Sequence, residues 1–392
     1  MRLPRRLTAS AAASALVLTA LAGCESGSET TAKTDIVIGA DLASGSAVDA
    51  AYARALQLRV EQINASGELG SNNLVLRIQD NRSDPQTSLR NISTFADDSQ
   101  VAALITGDCD ECVVSAAKTV NDKKIPTIAL AASDQVATPV ESRRYVFKIG
   151  PNSADSAAAL TSELVRLKKK KIAILSSQNL YGQDALGHMT SEISGAAALG
   201  KADISVVNQL TVKPTATDVT QSVGTLTDAE PDALVVLTGS DQATLAVTAA
   251  KAANFKGSVY FDAAAAGDLF VPQQAAKATE STTMVFTQVL AIDDVIATTP
   301  AKAARKQWFR DYTSRYGSYS GVASFGADAV GLIADAVVRA GSDRQRIRDV
   351  LETSQTDGFS GPIRITPDNH SGLMPQALTL LVARSGRWRL LS

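Results

Sequence analysis

The stretch IVIGADLASGSAVDAAYARALQLRVEQIN, residues 36–64, carries the pattern from which the fold of the chain follows. Its first part, residues 36–42, is a short apolar run with β-branched residues, as in a buried strand. From Ala47 onward the sequence shows a helical pattern instead. A strand followed directly by a helix begins a βαβ unit, so the stretch predicts a parallel sheet flanked by helices.

The same alternation continues along the chain in two series. Predicted strands of the first series lie at residues 36–42, 73–80, 101–106 and 126–132, and those of the second at 171–177, 203–210, 233–239 and 258–262. Helical patterns fill the intervals, and further strands are predicted near the C-terminus. Two such series predict an α/β fold of two doubly wound parallel-sheet lobes. Because ligands bind beyond the carboxyl ends of such strands, the loops there are the candidate site.

Length and composition agree with two domains. The chain has 392 residues, of which 45% are hydrophobic, and this is enough apolar material for two cores. The formal net charge is −2 and no broad basic face is evident, so no nucleic-acid partner is predicted. Four lysines at residues 168–171 follow a helical pattern and are interpreted as a solvated helix C-terminus, where they meet the negative end of the helix dipole.

The first residues have the pattern of a secretion signal. Three arginines among the first six residues precede an apolar, alanine-rich stretch at residues 7–21 and small residues at 22–23, which predicts a signal peptide over residues 1–23. The tetrad Leu-Ala-Gly-Cys at 21–24 resembles a bacterial lipobox, which implies cleavage before Cys24 and lipid on its thiol. Residues 24–34 are polar and are predicted to form a flexible tether. We therefore expect an extracytoplasmic protein held to the cell membrane by a lipid anchor.

Two further cysteines, Cys109 and Cys112, lie in the stretch TGDCDECVVSAAK at residues 106–118. In an oxidising compartment a disulfide between them is the favoured interpretation. A redox couple stays open, because Cys112 near a helix start would have a lowered pKa, and so do free thiols. A zinc site needs about four ligands, and the chain has only two histidines, His188 and His370, without paired spacing. Neither a metal site nor a cofactor is predicted.

Enzyme motifs are incomplete. Ser115 and Lys118 have the S-x-x-K spacing of penicillin-interacting serine enzymes, but the companion S-D-N and K-T-G motifs are missing. Ser320, Asp368 and His370 supply the residue types of a hydrolase triad, but no G-x-S-x-G elbow is present. Phosphate-binding and dinucleotide-binding fingerprints are also missing from the sequence. The sequence predicts a protein that is not an enzyme.

Seven segments carry a family resemblance through their order and spacing. They are IVIGADLASG (36–45), ALQLRVEQINASGELG (55–70), VLRIQDNRSDPQTS (75–88), IPTIALAASDQVAT (125–138), YVFKIGPNSADSA (145–157), KIAILSSQNLYGQDAL (171–186) and FGADAVGLIADAVVRAGSD (325–343). With these segments the chain resembles the leucine/isoleucine/valine-type periplasmic binding proteins of ABC transporters. Phe325 stands where a tyrosine is commoner in that family.

The resemblance implies two lobes joined by three crossovers, with a ligand in the cleft and closure by hinge motion. It assigns residues 35–150 and 289–355 to lobe I and residues 151–288 and 356–392 to lobe II. A monomer would capture a small polar solute, either an amino acid or an amide-like molecule, and deliver it to an ABC permease in the membrane. The alternative is a ligand-sensing lipoprotein of the same fold that signals to a membrane partner.

The resemblance also points to the loop GDCDEC, residues 107–112, as a pocket wall. In relatives the equivalent loop commonly offers serine hydroxyls and backbone N–H groups to a ligand carboxylate, whereas this chain has Asp110 and Glu111. Asp110 is a candidate helix N-cap, and Glu111 in the first turn suits the positive end of the dipole. Either the two acids turn outward, or the ligand is cationic or amide-like.

Five further residues on matching loops are candidate ligand contacts. They are Ala131, Ser133, Tyr181, Asp241 and Asp262. Ser133 offers a hydroxyl, Tyr181 could close over a ligand or merely pack, and Asp241 could instead cap a helix. Asp262 lies close to where amino-acid-binding relatives place an acid for the ligand's ammonium group. Those relatives carry the acid slightly later, where this chain has alanines at 263–266.

Overall fold

The computed structural model describes residues 33–268 and 271–391. Its strands are β1 (Thr34–Leu42), β2 (Asn72–Asp80), β3 (Val101–Thr106), β4 (Thr127–Ala129), β5 (Val146–Lys148), β6 (Lys171–Ser177), β7 (Ser205–Val212), β8 (Ala233–Leu237), β9 (Ser258–Phe261), β10 (Thr283–Thr287), β11 (Gln355–Asp357), β12 (Pro362–Arg364), β13 (Leu378–Arg384) and β14 (Arg387–Leu390). Its α-helices are α1 (Ala47–Ser66), α2 (Pro85–Asp97), α3 (Asp110–Asp122), α4 (Ser153–Arg166), α5 (Leu180–Ala198), α6 (Thr220–Thr227), α7 (Ser240–Ala252), α8 (Ala276–Thr279), α9 (Pro300–Tyr316), α10 (Ala323–Ala340) and α11 (Arg344–Leu351). The predicted signal peptide, Cys24 and nearly all of the tether lie outside the described residues.

The strands form two large sheets. The first has the order β2-β1-β3-β4-β5 and is parallel throughout. The second has the order β14-β13-β10-β9-β8-β6-β7, in which β13 and β14 are antiparallel additions to a parallel sheet. β11 and β12 pair separately. We call the first sheet with α1–α3 and α9–α11 the first lobe, and the second sheet with α4–α8 the second lobe. The α/β prediction of two doubly wound lobes is confirmed.

The chain crosses between the lobes three times: after β5, after β10 and after α11. The return after β10 is held by contacts with the first lobe, where α10 packs on α1. The Tyr312 hydroxyl on α9 donates to the carbonyl oxygen of Ala51 on α1 (3.4 Å). At the start of α11, the Arg344 guanidinium donates to three carbonyl oxygens around the end of α2 and the start of β3. These bonds fix the late helices to the first sheet.

Helix α1 brings the first lobe's side chains to the cleft. The Ser46 hydroxyl caps it by accepting from the Asp49 N–H group (3.2 Å), and Gly67 ends it in the left-handed region at φ 77°. Tyr52 on the buried face of α1 donates its hydroxyl to the carbonyl oxygen of Leu130 (3.1 Å), just beyond β4. The helix is thereby tied to the carboxyl ends of the strands.

Several predicted elements end at other residues in the structure. The predicted strand at 126–132 stops at Ala129, because the residues beyond it turn away and the Ser133 N–H group bonds to the Asp110 carboxylate. The helical pattern at residues 183–199, one of those in the intervals between predicted strands, begins three residues earlier in the structure, at Leu180, since the Asn179 side chain accepts from the Gly182 N–H group (2.9 Å). Within the described part of the chain, no helix combines the length and apolar character needed to span a membrane.

Gly182 permits the close approach of α5 to the end of β6. A Cβ atom at this position would lie 1.9 Å from the Ser177 carbonyl oxygen, whereas one at Gly187 on the same helix would meet nothing within 4 Å. We expect Gly182→Ala to lower the free energy of unfolding by about 1–3 kcal/mol through overpacking. The control Gly187→Ala should leave it unchanged or raise it by up to about 1 kcal/mol. Urea unfolding of both variants measures this, and equal stabilities would contradict the packing described.

Candidate functional site

A cavity lies between the two lobes, at the carboxyl ends of their parallel strands. The first lobe contributes side chains from α1, from the loops after β3 and β4 and from the start of α10. The second lobe contributes side chains from α4, α5, the segment after β9 and β10. The lining residues are Val48, Tyr52, Asp108, Leu130, Ala132, Pro151, Ser153, Ser156, Tyr181, Asp262, Ala263, Ala264, Ala266, Phe286, Val322 and Phe325. This is the position at which doubly wound sheets bind ligands.

Asp262 and Tyr181 form the polar centre of the second lobe's wall. Asp262 is only 2% exposed, and its Oδ2 accepts from the Tyr181 hydroxyl. Its Oδ1 has no hydrogen-bond partner among the described residues. The N–H groups of Ala264 and Ala265 lie near enough to favour the charged form but make no hydrogen bond to the carboxylate. Burial dominates and raises the pKa of Asp262 to about 7.

Asp108 is the acid of the first lobe's wall. Its side chain is exposed and lines the cavity between the lobes. The surrounding protein atoms raise the pKa of Asp108 well above its ordinary value, and the charges of Asp49, Asp110 and Glu111 raise it further. Two acids from opposite lobes, Asp108 and Asp262, therefore line the same small space.

Asp49 holds the loops beneath Asp108. Its carboxylate accepts from the backbone N–H groups of Ala43 (2.6 Å) and Asp108 (2.8 Å), which joins the loop after β1 to the loop after β3. A Cβ atom at Gly107 would lie 2.3 Å from Asp49 Oδ1, so the loop can approach only because this residue is glycine. Burial raises the pKa of Asp49 to about 6, and the two N–H bonds oppose that rise.

The loop between β3 and α3 contains a disulfide. Cys109 and Cys112 are bonded, with their Cα atoms 5.2 Å apart. Helix α3 begins at Asp110 and its N-cap is Cys109, whose sulfur accepts from the Cys112 N–H group (3.2 Å). The expectation that Asp110 is the N-cap is therefore wrong by one residue, because Asp110 already has helical backbone geometry and its side chain bonds elsewhere.

Asp110 and Glu111 support the frame around the cavity and do not line it. Asp110 accepts from the Ser133 N–H group (2.6 Å), and burial raises its pKa to about 7. Glu111 accepts from the Leu180 N–H group (2.7 Å) at the start of α5, so this bond joins the first lobe to the second. Both acids bond to backbone N–H groups of the protein itself.

The remaining candidate residues have different positions. Ala131 is buried between the lining residues Leu130 and Ala132 without lining the cavity itself. Ser133 is buried, and its hydroxyl donates to Asp184 Oδ2 (3.0 Å) across the lobes. Asp241 lies exposed in the first turn of α7, whose N-cap is Gly239. It lines a second compartment of about 300 Å³ that adjoins the cavity and shares Val48 and Ala266 with it.

One group of described residues could hold a metal ion. Ligand atoms of Asp134, Asp184 and His188 all lie within 4.8 Å of one another. The two carboxylates already accept hydrogen bonds, Asp134 from the Ser153 and Ala154 N–H groups and Asp184 from Ser133 and Asp134. The cluster joins the loop after β4 to the starts of α4 and α5.

The residues of the enzyme patterns are engaged separately. The Ser115 hydroxyl donates to the carbonyl oxygen of Cys112 (2.9 Å), and Lys118 pairs with Asp122 (2.5 Å). The buried His370 stacks on Phe147, with 4.5 Å between ring centroids, and its Nδ1 lies 2.9 Å from the Val146 carbonyl oxygen. Ser320 lines the second compartment instead.

Sequence reasoning missed several lining residues. Asp108 stands two residues before Asp110 in the same loop, and the general rule about strand ends would have included it. Ser153 and Ser156 lie at the start of α4 and line the cavity. Their hydroxyls are buried and have no hydrogen-bond partner among the described residues. Tyr52 and Phe286 carry no sequence signal that separates them from core residues.

Comparisons with known proteins agree with this architecture. The family model described as "Periplasmic binding protein" matches residues 37–387. No curated protein sequence matches the chain. An extracellular ligand-binding receptor from Rhodopseudomonas palustris HaA2 has a similar structure, with 20% identity, a TM-score of 0.80 and coverage of 92% of this chain and 100% of that one.

Two other solved structures belong to proteins with a known ligand or specificity. The leucine-binding protein LivK from Thermotoga maritima is 18% identical, with a TM-score of 0.76 and coverage of 92% of this chain and 98% of that chain. A solute-binding protein of an ABC transporter from Rhodopseudomonas palustris BisB5, in complex with 3,4-dihydroxybenzoic acid, is 16% identical, with a TM-score of 0.77 and coverage of 91% and 96%. At these identities the likeness shows the fold.

Two α/β lobes around an enclosed cavity define a protein of the ligand-binding class. The match over residues 37–387 shows that the chain belongs to the periplasmic binding protein family, with the type I fold of the leucine/isoleucine/valine-binding proteins. The family and these neighbours are solute-binding proteins.

The raised pKa of Asp262 predicts a pH dependence of stability. An acid whose pKa rises on folding stabilises the native state fully below its ordinary pKa near 4, and this contribution is lost as the pH rises through about 7. The ligand-free protein should therefore be more stable at pH 5 than at pH 8. Asp49 and Asp110 act in the same direction. Asp262→Asn should reduce the difference by an amount on the order of 1 kcal/mol or more.

Urea unfolding at the two pH values checks this expectation. The control is Asp203→Asn, since the Asp203 side chain is 87% exposed and lies outside the cavity. An Asp262→Asn variant with the same pH dependence as wild type would show that Asp262 is not a buried, costly charge.

Proposed function

We propose that the chain is an extracytoplasmic, lipid-anchored solute-binding protein of an ABC transporter. It captures a small polar solute of the amino-acid or amide-like class between its lobes and delivers it to a membrane permease. The anchor rests on the lipobox-like tetrad at residues 21–24, and the protein acts as a monomer. The two lobes, residues 35–150 with 289–355 and residues 151–288 with 356–392, move about the three crossovers.

The observation that carries the proposal is the unpartnered oxygen of Asp262 in a cavity walled by both lobes. A buried carboxylate oxygen without a hydrogen bond costs free energy, and a bound solute that bonds to it recovers that cost. Because the other wall belongs to the first lobe, the solute makes its full set of contacts only when the lobes meet. Binding therefore favours the closed arrangement.

Direct bonds between the lobes assist closure. Glu111 bonds to the Leu180 N–H group, and Ser133 and Asp134 bond to Asp184 on α5. These contacts do not involve the cavity, so they set the balance between open and closed states independently of the solute.

A solute panel tests the proposal. Amino acids, amides, amines, polyamines and aromatic acids are screened by thermal shift, since binding to the native state raises its melting temperature. Small-angle scattering then measures whether the best solute reduces the radius of gyration. A raised melting temperature with compaction supports the proposal. No shift with any solute, or chemical conversion of a bound solute, contradicts it.

The alternative is a ligand-sensing lipoprotein of the same fold. It shares the cavity and the closure but passes the signal to a membrane partner other than a permease. Neighbouring genes for a permease and an ATPase favour transport, whereas a neighbouring gene for a membrane signalling protein favours sensing.

Glu111 provides a test of closure at a residue that does not line the cavity. Glu111→Ala removes the acceptor of the Leu180 N–H group, which costs about 0.5–1.5 kcal/mol of closed-state stability. We expect the affinity for the best solute to fall by about threefold to tenfold and the radius of gyration of the ligand-free protein to rise. Glu192→Ala, an exposed position on α5, is the control. Wild-type affinity and scattering in Glu111→Ala would rule out this bond as a closure contact.

A further inference from the structure

Backbone N–H groups around the cavity are already bonded to carboxylates of the protein. Asp49 accepts from Ala43 and Asp108, Asp110 from Ser133, Glu111 from Leu180, and Asp134 from Ser153 and Ala154. Strand-end loops and helix N-termini are the places where a bound anion is normally held, because their N–H groups lack other partners. Here these N–H groups are bonded within the chain, so a ligand carboxylate could use one of them only by displacing its acid.

The cavity itself offers acceptors. Asp262 Oδ1 and the hydroxyl oxygens of Ser153 and Ser156 are buried without partners among the described residues, and Asp108 is exposed to the same space. None of the described lining residues is a lysine, arginine or histidine. Asp262 is buried and no lysine, arginine or histidine is among the described lining residues, so its charged form loses solvation without a basic partner. A positive charge placed between Asp262 and Asp108 would offset that loss and pair with both acids.

The adjoining compartment has the same sign of charge. Its acids are Asp241 and Asp268, and its described lining also lacks a basic side chain. Arg54 lies close enough to Asp268 to lower the pKa of that acid, although burial raises it more. The inner cavity has a volume of about 40 Å³ and the adjoining compartment about 300 Å³. A ligand would therefore place a small group in the inner cavity and extend into the adjoining compartment, which Asp241 and Asp268 line.

We propose that the cleft binds a cation that carries no carboxylate, such as an amine, an amidine or an amino-acid amide, with its positive nitrogen between Asp108 and Asp262. The Ser153 and Ser156 hydroxyls accept the remaining N–H groups, and the rings of Tyr52 and Phe286 cover the adjacent carbons. This inference rests on the proposed function and narrows its solute class. An amino acid with a free carboxylate would add a negative charge beside Asp108, where the Asp108 and Ser133 N–H groups are already bonded to Asp49 and Asp110.

Three probes that share the 3-methylbutylamine group separate the possibilities. Leucinamide and 3-methylbutylamine are cations without a carboxylate, and leucine carries both charges. They are titrated calorimetrically beside 1,4-diaminobutane, spermidine, glutamine and benzoate. We expect only carboxylate-free cations to bind, and the tightest of them to bind at least about tenfold more tightly than leucine.

Each outcome of the titrations supports or overturns the inference that the ligand is a cation without a carboxylate. Binding confined to carboxylate-free cations supports the inference. Binding of leucine, glutamine or benzoate as tight as that of the best cation overturns it and leaves the solute-binding function standing. If none of the seven binds, the inference fails, and if the wider solute screen also gives no shift, the proposed function fails with it.

Charge-neutral variants locate the contact. Asp108→Asn and Asp262→Asn each keep the size of the side chain and remove one negative charge, and each should weaken binding of the best cation at least about tenfold. Asp203→Asn removes the same charge from the exposed pair with Lys170 and should change the affinity less than twofold. Melting without ligand shows whether each variant is folded. Wild-type affinity in folded Asp108→Asn and Asp262→Asn would overturn the placement.

Discussion

Hydrogen bonds between carboxylates of the chain and its own backbone N–H groups hold in place the loops at the carboxyl ends of the first sheet and join them to the second lobe. Asp49 joins the loop after β1 to the loop after β3, Asp110 joins α3 to the loop after β4, and Glu111 joins α3 to α5 in the other lobe. The bonds from Asp49 to Asp108, from Asp110 to Ser133 and from Glu111 to Leu180 connect segments that are distant in sequence, and each satisfies a backbone N–H group that is at least partly buried. The cavity lies among the segments that these bonds join.

Asp262 differs from these acids. Its neighbour Tyr181 satisfies one oxygen, while the other faces the cavity without a partner. Burial raises the pKa of Asp262 to about 7, so the charged form of this side chain is disfavoured in the folded protein. A buried polar group without a partner, among neighbours that are hydrogen-bonded, is characteristic of functional sites, where a ligand supplies the missing partner. Asp49, Asp110 and Glu111 therefore bond within the protein, whereas Asp262, which is also a carboxylate, keeps one oxygen without a partner among the described residues.

The fold could be predicted because short apolar runs and helical patterns alternate along the sequence. The apolar run of β1 and the helical pattern of α1 follow directly from residue spacing, and the strand-end rule directed attention to the loops. Strand and helix ends were less predictable. β4 ends at Ala129 and α5 begins at Leu180 because of side-chain bonds, from Asp110 and Asn179, that residue spacing does not encode.

Placing individual side chains in the site required the structure. The loop at residues 107–112 contains three acids, and the start of α3 at Asp110 decides which of them faces the cavity. Only Asp108 does, whereas Asp110 and Glu111 turn to N–H groups of other segments. Tyr52 lies on a helix face that reads as core from its sequence alone, since burial in a domain and burial against a ligand leave the same apolar pattern.

A crystal structure of the protein with its best-binding solute tests the central claim most directly. The account predicts a ligand nitrogen within hydrogen-bond distance of Asp108 and Asp262, with the Asp49 carboxylate still bonded to the Ala43 and Asp108 N–H groups. A ligand carboxylate bonded to those N–H groups in place of Asp49 would contradict it.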